Sequence, residues 1–426
     1  MCVTLPTTNK SSCRRRPAPP GWLRTLAAMT TALVGLALLL PCLQLLHLAV
    51  PGATALATVE VRVEQVDTAP LISSRNAVGR GRCTAATLCY NAAWGPATKA
   101  SSAGLLLRLR NMTSIPCSNG LPHPKTGPCP GNHIGPSKLG WSVRSASGHF
   151  SDVTPAEIVF QPNGSFAEQN GTEDPRLALD EDTGVYLLAY TAFGKPAKGK
   201  GHITLSLAST KTPAVSRSWV RHGPALPSYP NHTKSGAMLL RPHPSASFLI
   251  FLDTQTKAAH LAVSTDRRHT QWRTHNPAPF IAPRSGMFDS ALTEPGPAPL
   301  PLSDGIHFIW FYNGSEDNPN STQFRPGCYQ SIKTVYQIGW VLLKIAPSGL
   351  DLEVVQRARV PLLSPAQVGG WALGSAPALC KQPNIVFVEG AETLGGDRFR
   401  LYYGAADATE GSAKVAVHIS GAELGL

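Results

Sequence analysis

A short strand-and-turn pattern recurs along this chain at long, similar intervals, and it restricts the possible folds more than any other feature. Ser145 and Ser209 are 64 residues apart, and Ser209 and Ser264 are 55 apart, which is room for four short strands and their turns. No long amphipathic helix pattern interrupts the copies. The sequence therefore predicts repeated β-structure of undetermined repeat number, although 38 Gly and 38 Pro also suit a β-sandwich or partial disorder. The copies are Ser142–Phe150, Leu205–Thr210 with Trp219, and Leu261–Asp266 with Trp272.

Two adjacent acids and an arginine stand in Gly171–Arg176, ahead of the alternating segment Val185–Ala192. Pro175 holds its own φ at about −65° and is expected to push Asp174 toward extended backbone, which makes this motif stiff. A surface turn with an ion pair is the ordinary interpretation of such a motif. The functional interpretation is a carboxyl that protonates a glycosidic oxygen, because such a group must hold its position.

Five segments, met in chain order, resemble motifs of glycoside hydrolase family 130, the β-mannoside phosphorylases and related β-mannosidases. This resemblance implies an all-β fold, a five-bladed β-propeller whose active site lies in the axial channel. The segments are Glu173–Tyr190, Glu294–Pro299, Phe311–Gly314, Tyr336–Gly339 and Leu401–Asp407.

By this resemblance, Asp174 is the catalytic acid, which donates a proton toward the glycosidic oxygen by way of a sugar hydroxyl. Glu173 and Arg176 would hold it. Arg176 suits a second role equally well, as a buttress that bonds backbone carbonyls between blades.

Several other residues are candidates for substrate binding. Aromatic rings suit the apolar face of a sugar, although alternation turns only some of them toward a channel and most will be core. The aromatic candidates are Tyr190, Trp310, Tyr312, Tyr336 and Tyr403, and the polar ones are Lys234, Asn313 and Asp407.

The chain departs from the phosphorylase pattern where that family collects phosphate. A Lys before the glycine-proline loop and the His of a Y-H-G sequence are replaced here by Leu292 and Asn313. Each lost charged hydrogen bond weakens phosphate capture by about 1.5–3 kcal/mol. The departure therefore favours water over phosphate as the nucleophile.

Glu294 stands immediately before the Pro295–Pro297 loop, where a carboxylate would repel phosphate and could activate water. With Asp174 as acid and Glu294 as base, the prediction is an inverting glycosidase, whose carboxyls lie about 6.5–9.5 Å apart with solvent between them. A loop acid that caps backbone amides is the ordinary interpretation of Glu294. Glu389 and Glu392 are reserve candidates for the base.

The predicted function is hydrolysis of a β-linked mannoside or related glycan, with no cofactor. A β-mannoside phosphorylase with other phosphate ligands is one alternative, and a propeller that binds glycans without turning them over is another. The net charge is +12, of which the N-terminal segment supplies five, and no basic run is interleaved with aromatics, so nucleic acid is a poor partner.

The N-terminal segment predicts a membrane anchor. Residues 1–59 contain no acid and five basic residues, and residues 26–50 are almost wholly apolar and long enough to span a bilayer. Basic residues before the span predict a cytoplasmic leader (1–25), a signal anchor (26–50), a stem (51–70) and a lumenal propeller domain (71–426), in the Golgi or endoplasmic reticulum. A cleaved signal and an organelle transit sequence are alternatives.

Cysteines and glycosylation sequons agree with a lumenal location. Six cysteines follow the span, and Cys83 with Cys89 and Cys117 with Cys129 are the natural local pairs, while no C-x-x-C or H-x-x-x-H cluster favours a metal. Six Asn-x-Ser/Thr sequons follow the span, and Asn163 and Asn170 are predicted to be modified more readily than those near the channel mouth. The sequons begin at Asn111, Asn163, Asn170, Asn231, Asn313 and Asn320.

Overall fold

A computed structural model describes residues 58–73, 82–83, 87–111, 136–194, 202–229, 231–244, 246–274, 276–318, 333–373 and 382–420. These residues form five antiparallel sheets, which are the blades of a five-bladed β-propeller. Strand β1 is Thr58–Val66. Blade 1 contains β2 (Thr87–Gly95), β3 (Gly104–Asn111), β4 (Lys138–Val143) and β5 (Ile158–Phe160). Blade 2 contains β6 (Gly171–Asp180), β7 (Val185–Gly194), β8 (His202–Thr210) and β9 (Val220–Pro224).

The other three blades follow the same order along the chain. Blade 3 contains β10 (Thr233–His243), β11 (Ala246–Asp253), β12 (Ala258–Ser264) and β13 (Arg273–Thr274). Blade 4 contains β14 (Leu292–Pro295), β15 (Leu300–Pro301), β16 (His307–Asp317), β17 (Thr334–Ile345) and β18 (Leu352–Arg357), and the short helix α1 (Pro365–Val368) follows it. Blade 5 contains β19 (Val386–Gly395), β20 (Arg398–Ala405), β21 (Thr409–Ser420) and β1.

The ring is closed by the two ends of the described chain. Strand β1 pairs antiparallel with β21, so the N-terminal strand completes a blade whose other strands come from the C-terminus. The prediction of a stem over 51–70 is therefore wrong for residues 58–66. The sequence signal is the alternation of valine with polar residues in Thr58–Val66, which is typical of a half-buried strand.

The three copies of the sequence pattern occupy equivalent places in three blades. They overlap β4, β8 and β12, each of which is the third strand of its sheet. The two tryptophans that follow copies two and three are buried immediately before β9 and β13. The prediction of repeated β-structure is confirmed, and so is the five-bladed propeller implied by the family resemblance.

The core lies between the blades, because each sheet packs its two faces on its two neighbours. On β7, Tyr186, Leu188 and Tyr190 join a cluster with residues of blade 1, whereas Leu187 and Ala189 join a cluster with residues of blade 3. A strand of this kind is buried on both faces. Successive side chains along such a strand therefore point to different neighbouring blades, rather than one set to the core and the other to solvent.

One predicted disulfide is present among the described residues, between Cys83 and Cys89, whose Cα atoms are 6.3 Å apart. The remaining predicted pair, Cys117 with Cys129, lies outside the described residues. The predicted leader (1–25) and signal anchor (26–50) also lie outside them. Within the described part of the chain, no helix has the length and apolar character needed to cross a membrane.

Candidate active site

The first strands of the blades meet around the axis, and most of them are interrupted at the same point. Strand β2 contacts β6 and β19, and β6 contacts β10, which contacts β14. Four of these inner strands carry a register shift against the next strand, and such bulges re-aim side chains near active sites. The shifts fall at Asn91, at Asp174–Pro175, at Ser235 and at Glu389.

The bulge in β6 changes the predicted geometry of Asp174. The acid motif lies within β6 rather than in a turn before a strand, and Asp174 has φ +49°, in the left-handed region. The expectation of extended backbone before Pro175 is therefore wrong. The ladder is broken between Glu173 and Arg176, so Pro175, which has no N–H, needs no ladder partner there. A left-handed non-glycine residue costs about 1–3 kcal/mol and is typical of functional sites.

Three side chains contact the carboxylate of Asp174, a residue that is 4% exposed. Arg108 Nη1 lies 2.6 Å from Oδ1 and Asn91 Nδ2 donates to the same oxygen at 3.3 Å. Lys234 Nζ lies 3.4 Å from Oδ2. The other Arg108 nitrogen, Nη2, lies 2.7 Å from Glu173 Oε1, so one guanidinium holds both acids of the motif.

Glu173 is held from one side of the site. Its Oε1 accepts a hydrogen bond from Ser137 Oγ at 2.8 Å, and Arg110 Nη1 lies 3.4 Å away. Arg108 and Arg110 are two apart on β3, so they project from the same face of that strand. The motif acids thus lie against two cations from blade 1.

Lys234 connects the two predicted catalytic carboxylates. Its Nζ lies 2.9 Å from Glu294 Oε1, which also accepts a hydrogen bond from Ser235 Oγ. The bridged oxygens of Asp174 and Glu294 are therefore no further apart than the sum of the two Lys234 distances, 6.3 Å. The structure thus brings the predicted pair together, but these two oxygens lie closer than the predicted 6.5–9.5 Å. The amino group of Lys234 also lies between them, where solvent was predicted.

The charges of the site set the protonation states of Asp174 and Lys234. Burial acts to raise the pKa of Asp174, but the charges of Arg108, Lys234 and Arg176 outweigh it and hold this pKa well below its usual range. Burial acts to lower the pKa of Lys234, yet Glu294 and Asp174 raise it well above the ordinary value. Near neutral pH, Asp174 is therefore an anion and Lys234 a cation in the free protein.

Arg176 is a buttress, which is one of the two roles that the sequence left open. Its side chain is 1% exposed and donates through Nη2 to Pro295 O at 2.6 Å and through Nε to Gly296 O at 3.3 Å. Its Nη1 donates to the main-chain oxygen of Asp174 at 3.0 Å and lies 3.1 Å from Glu389 Oε1. Arg176 thereby links β6 to the end of β14, the strand that carries Glu294.

Tyr336 and Asp407 belong to the same electrostatic cluster. Burial raises the pKa of the Tyr336 phenol, the charge of Glu294 raises it further, and Lys234 partly offsets this. Asp407 acts on the pKa of both Tyr336 and Arg108. These two predicted substrate-binding residues are thus near the Asp174 and Glu294 pair.

Tyr190 and Tyr312 lie in the core between blades. The Tyr190 hydroxyl donates to Glu168 at 2.6 Å, and its ring packs edge-on against Phe160. The Tyr312 hydroxyl donates to Asp289 at 2.6 Å. Both rings are buried, so their surroundings are those of packing residues rather than of a sugar-stacking platform.

Asn313 is also a structural residue in this fold. Its side chain is fully buried, donates to Val388 O at 3.0 Å and accepts from Val388 N at 2.7 Å. These two hydrogen bonds join blade 4 to blade 5.

The remaining aromatic candidates and one reserve base lie in similar structural surroundings. Trp310 is buried and donates to Pro297 O. Tyr403 is buried and stacks on Trp371. Glu392 pairs with Arg144 and accepts from Tyr402, joining blade 5 to blade 1.

Sequence reasoning missed the residues that hold the acids from other blades. They lie up to 83 residues from Asp174 in the chain. The signal for two of them is a pair of arginines with alternate spacing in an otherwise apolar strand. Among the described residues, no group of three or more His, Cys, Asp or Glu side chains is placed to hold a metal ion. The missed residues are Asn91, Arg108, Arg110 and Ser235.

One protein family matches most of the chain. The sequence model of glycoside hydrolase family 130, described as beta-1,4-mannooligosaccharide phosphorylase, matches residues 143–419. The chain belongs to glycoside hydrolase family 130. Family 130 acts on β-mannosidic linkages, as phosphorylases or as hydrolases. The match begins after the strands that supply Asn91, Arg108 and Arg110.

Solved structures share the family 130 fold. A β-1,2-mannobiose phosphorylase from Listeria innocua superposes with a TM-score of 0.58 at 14% identity, over 83% of this chain and 96% of that one. A family 130 glycoside hydrolase that targets β-1,2-mannosidic linkages in Candida mannan and a glycosyl hydrolase from Bacteroides ovatus each give 0.54 at 23% identity, over 77% of this chain and 84% of theirs. No curated protein matches the chain.

Proposed function

We propose that this protein is a hydrolase that cleaves a β-linked mannoside with inversion of the anomeric carbon. The observation that supports it is the Asp174 and Glu294 pair, two buried carboxylates joined through one lysine at the propeller axis. Glu294 takes a proton from water as the water oxygen attacks the anomeric carbon. The bond to the departing oxygen breaks, and that oxygen receives a proton from Asp174 through a sugar hydroxyl.

Asp174 must gain a proton before it can act as an acid. The cations beside it favour the anion in the free protein, and Lys234 is the most exposed of them, with 25% of its side chain exposed. A sugar hydroxyl that takes the place of Lys234 beside Asp174 removes one positive charge from that carboxylate. The pKa of Asp174 then rises toward the range in which it can carry and donate a proton.

The cations of the site are already engaged, which argues against phosphate as the nucleophile. Lys234 is shared by Asp174 and Glu294. Arg108 is shared by Asp174 and Glu173, and Arg176 bonds backbone carbonyls. An entering phosphate would also meet the carboxylate of Glu294. Leu292 offers no charge, and the amide of Asn313 is used by the backbone of blade 5.

Product analysis tests this proposal. We expect the full-length protein to release mannose from β-mannobiose at the same rate with and without phosphate, with the α-anomer forming first in the proton NMR spectrum. Glu294→Gln is the control, because it keeps the side-chain shape and removes the base, so it should lose about 10²–10⁴-fold in rate. Mannose 1-phosphate, formed only when phosphate is present, would instead establish the phosphorylase alternative.

A membrane-anchored lumenal location is a further proposal. It is supported by the Cys83–Cys89 disulfide, since disulfides persist in oxidising compartments. The apolar stretch at 26–50 supports the anchor.

Glycan mapping in a eukaryotic secretory host checks this location. We expect a glycan on Asn163, which is exposed, and none on Asn313, whose amide is buried and bonded on both sides. Asn170 donates through its amide nitrogen to Gly194 O, so it should be modified less than Asn163. Asn163→Gln should remove one glycan by mass. A glycan found on Asn313 would contradict the described packing, and an unmodified Asn163 would contradict the location.

A further inference from the structure

Glu389 is a buried carboxyl at the axis that the proposed acid and base do not account for. It sits at the bulge of β19, the counterpart in blade 5 of the β6 bulge at Asp174, and its side chain is 0% exposed. Arg176 Nη1 lies 3.1 Å from Oε1. Neither carboxyl oxygen has a hydrogen bond of ordinary geometry among the described residues. A buried carboxylate held this weakly is costly.

The charges around Glu389 balance without it. Four cations lie among six carboxyls, which are four acids together with Glu389 and Glu410, so the carboxyls outnumber the cations by two even though Arg176 contacts Glu389. Glu410 is also 0% exposed. The cations are Arg108, Arg110, Arg176 and Lys234, and the four acids are Glu173, Asp174, Glu294 and Asp407.

Burial is the largest influence on the pKa of Glu389, and the charges that face it act in both directions. Burial raises the pKa of Glu389 well above its usual range. Arg176 and Arg108 offset part of this effect, while the charges of Asp174 and Glu294 add to it.

The pKa of Glu410 is raised for similar reasons. Burial raises its pKa well above the usual range, and Glu389 adds to this. The backbone amides of Ala92 and Asn91 oppose the shift only in part.

We propose that Glu389 holds a proton in the resting enzyme and supplies it to Asp174 when the glycosidic bond breaks. This inference rests on the proposed hydrolase function. Asp174 and Glu389 contact the same Arg176 nitrogen, the first through its main-chain oxygen and the second through its carboxyl. Glu389 acts through Asp174, so it is a positioning residue for the proton and makes no contact with the sugar.

The proton balance closes over one turnover. Glu389 gives a proton to Asp174, which passes one through the sugar hydroxyl to the departing oxygen. Glu294 takes one proton from the attacking water, whose oxygen bonds to the anomeric carbon. The enzyme has then lost a proton at Glu389 and gained one at Glu294, and exchange with solvent past the partly exposed Lys234 restores both carboxyls.

A comparison of leaving groups tests the role in turnover. Glu389→Gln keeps a group that can accept from Arg176 but has no acidic proton, so kcat for β-mannobiose should fall by about 10²–10⁴-fold. The variant should keep most of its kcat on 2,4-dinitrophenyl β-mannoside, whose departing phenolate needs no proton. Equal losses on both substrates would mean a structural role and would overturn the proposal.

A buried glutamate outside the site provides the matched control. Glu168 is 3% exposed and is bonded by Tyr190 and Arg221. Glu168→Gln should lower stability and change kcat on the two substrates by the same factor. If Glu168→Gln also loses more kcat on β-mannobiose than on 2,4-dinitrophenyl β-mannoside, the Glu389→Gln result would be a general effect of substituting a buried glutamate. That outcome would count against the proposal.

A measurement without substrate separates this inference from the proposed function. Because the folded pKa of Glu389 lies above its unfolded value, its contribution to stability is complete below about pH 4.3 and is lost as pH rises toward the folded pKa. From about pH 5 up to the folded pKa of Glu389, the folding equilibrium constant of the wild type should fall about tenfold per pH unit more steeply than that of Glu389→Gln.

Equal slopes would mean that folded Glu389 is ionised, and would overturn the inference whatever the enzyme hydrolyses. Should Glu389→Gln fail to fold, infrared spectra of the wild-type protein decide the matter. Absence of a carboxylic acid band at neutral pH overturns the proposal, and a band that Glu410→Gln retains supports a proton on Glu389. A protein that hydrolyses no β-mannoside but shows the steeper slope would lose the proposed function alone.

Discussion

Asp174→Asn is expected to lower kcat/KM for β-mannobiose by about 10²–10⁴-fold, because asparagine cannot relay the proton that the departing oxygen needs. Asparagine also tolerates left-handed backbone, so it should keep the φ of +49° found at this bulge. Steady-state kinetics on the full-length protein would measure the loss.

Asp182→Asn is the control for this variant. The Asp182 side chain is 78% exposed and contacts Arg241, so its substitution should leave kcat/KM unchanged. Should Asp174→Asn leave both sugar affinity and every measurable activity unchanged, the protein is a glycan-binding propeller rather than an enzyme. If the wild type binds sugar without turning it over, and Asp174→Asn loses this affinity, the protein is likewise a glycan-binding propeller.

Arg176→Met is expected to lower the free energy of unfolding by about 3–5 kcal/mol, because each buried acceptor that loses its hydrogen-bond donor costs about 1–3 kcal/mol. The change leaves the carbonyls of Pro295 and Gly296 and the carboxyl of Glu389 buried without their donor. Urea denaturation at neutral pH would measure the difference.

Arg359→Met provides the comparison, because Arg359 is exposed and its substitution should change the free energy of unfolding by less than about 0.5 kcal/mol. If Arg176→Met unfolds at the wild-type urea concentration while its activity disappears, Arg176 contacts substrate and is not a buttress. Loss of stability with residual activity would support the buttress.

Much of the architecture could be predicted from local pattern. The strand-and-turn copies at β4, β8 and β12 are equivalent third strands, because each must pack on two neighbouring blades in the same way. The third strands of blades 4 and 5, β17 and β21, do not carry the pattern, so the number of blades could not be counted from it. The closing strand β1 was missed because its partner β21 is more than 340 residues away in the chain.

The candidate site was predictable only in part, for a related reason. Motif resemblance identified Asp174 and Glu294, which the fold brings within reach of one lysine. Alternation could not decide whether Tyr190 and Tyr312 face the axis or a neighbouring blade, because both faces of these strands are buried. The left-handed conformation of Asp174 was missed because it depends on a bulge that forms only against β7.

The sequence by itself determined the repeated β-structure, the family, the acid motif and the absence of a family cation at Leu292, since these depend on residue identity and on order along the chain. Only the tertiary structure decided which charges surround Asp174. Arg108 and Asn91 come from blade 1, Lys234 from blade 3 and Glu389 from blade 5. The protonation of a buried carboxyl depends on distances to charges that no local pattern encodes, and in a propeller those distances are set at the axis, where strands from separate parts of the chain converge.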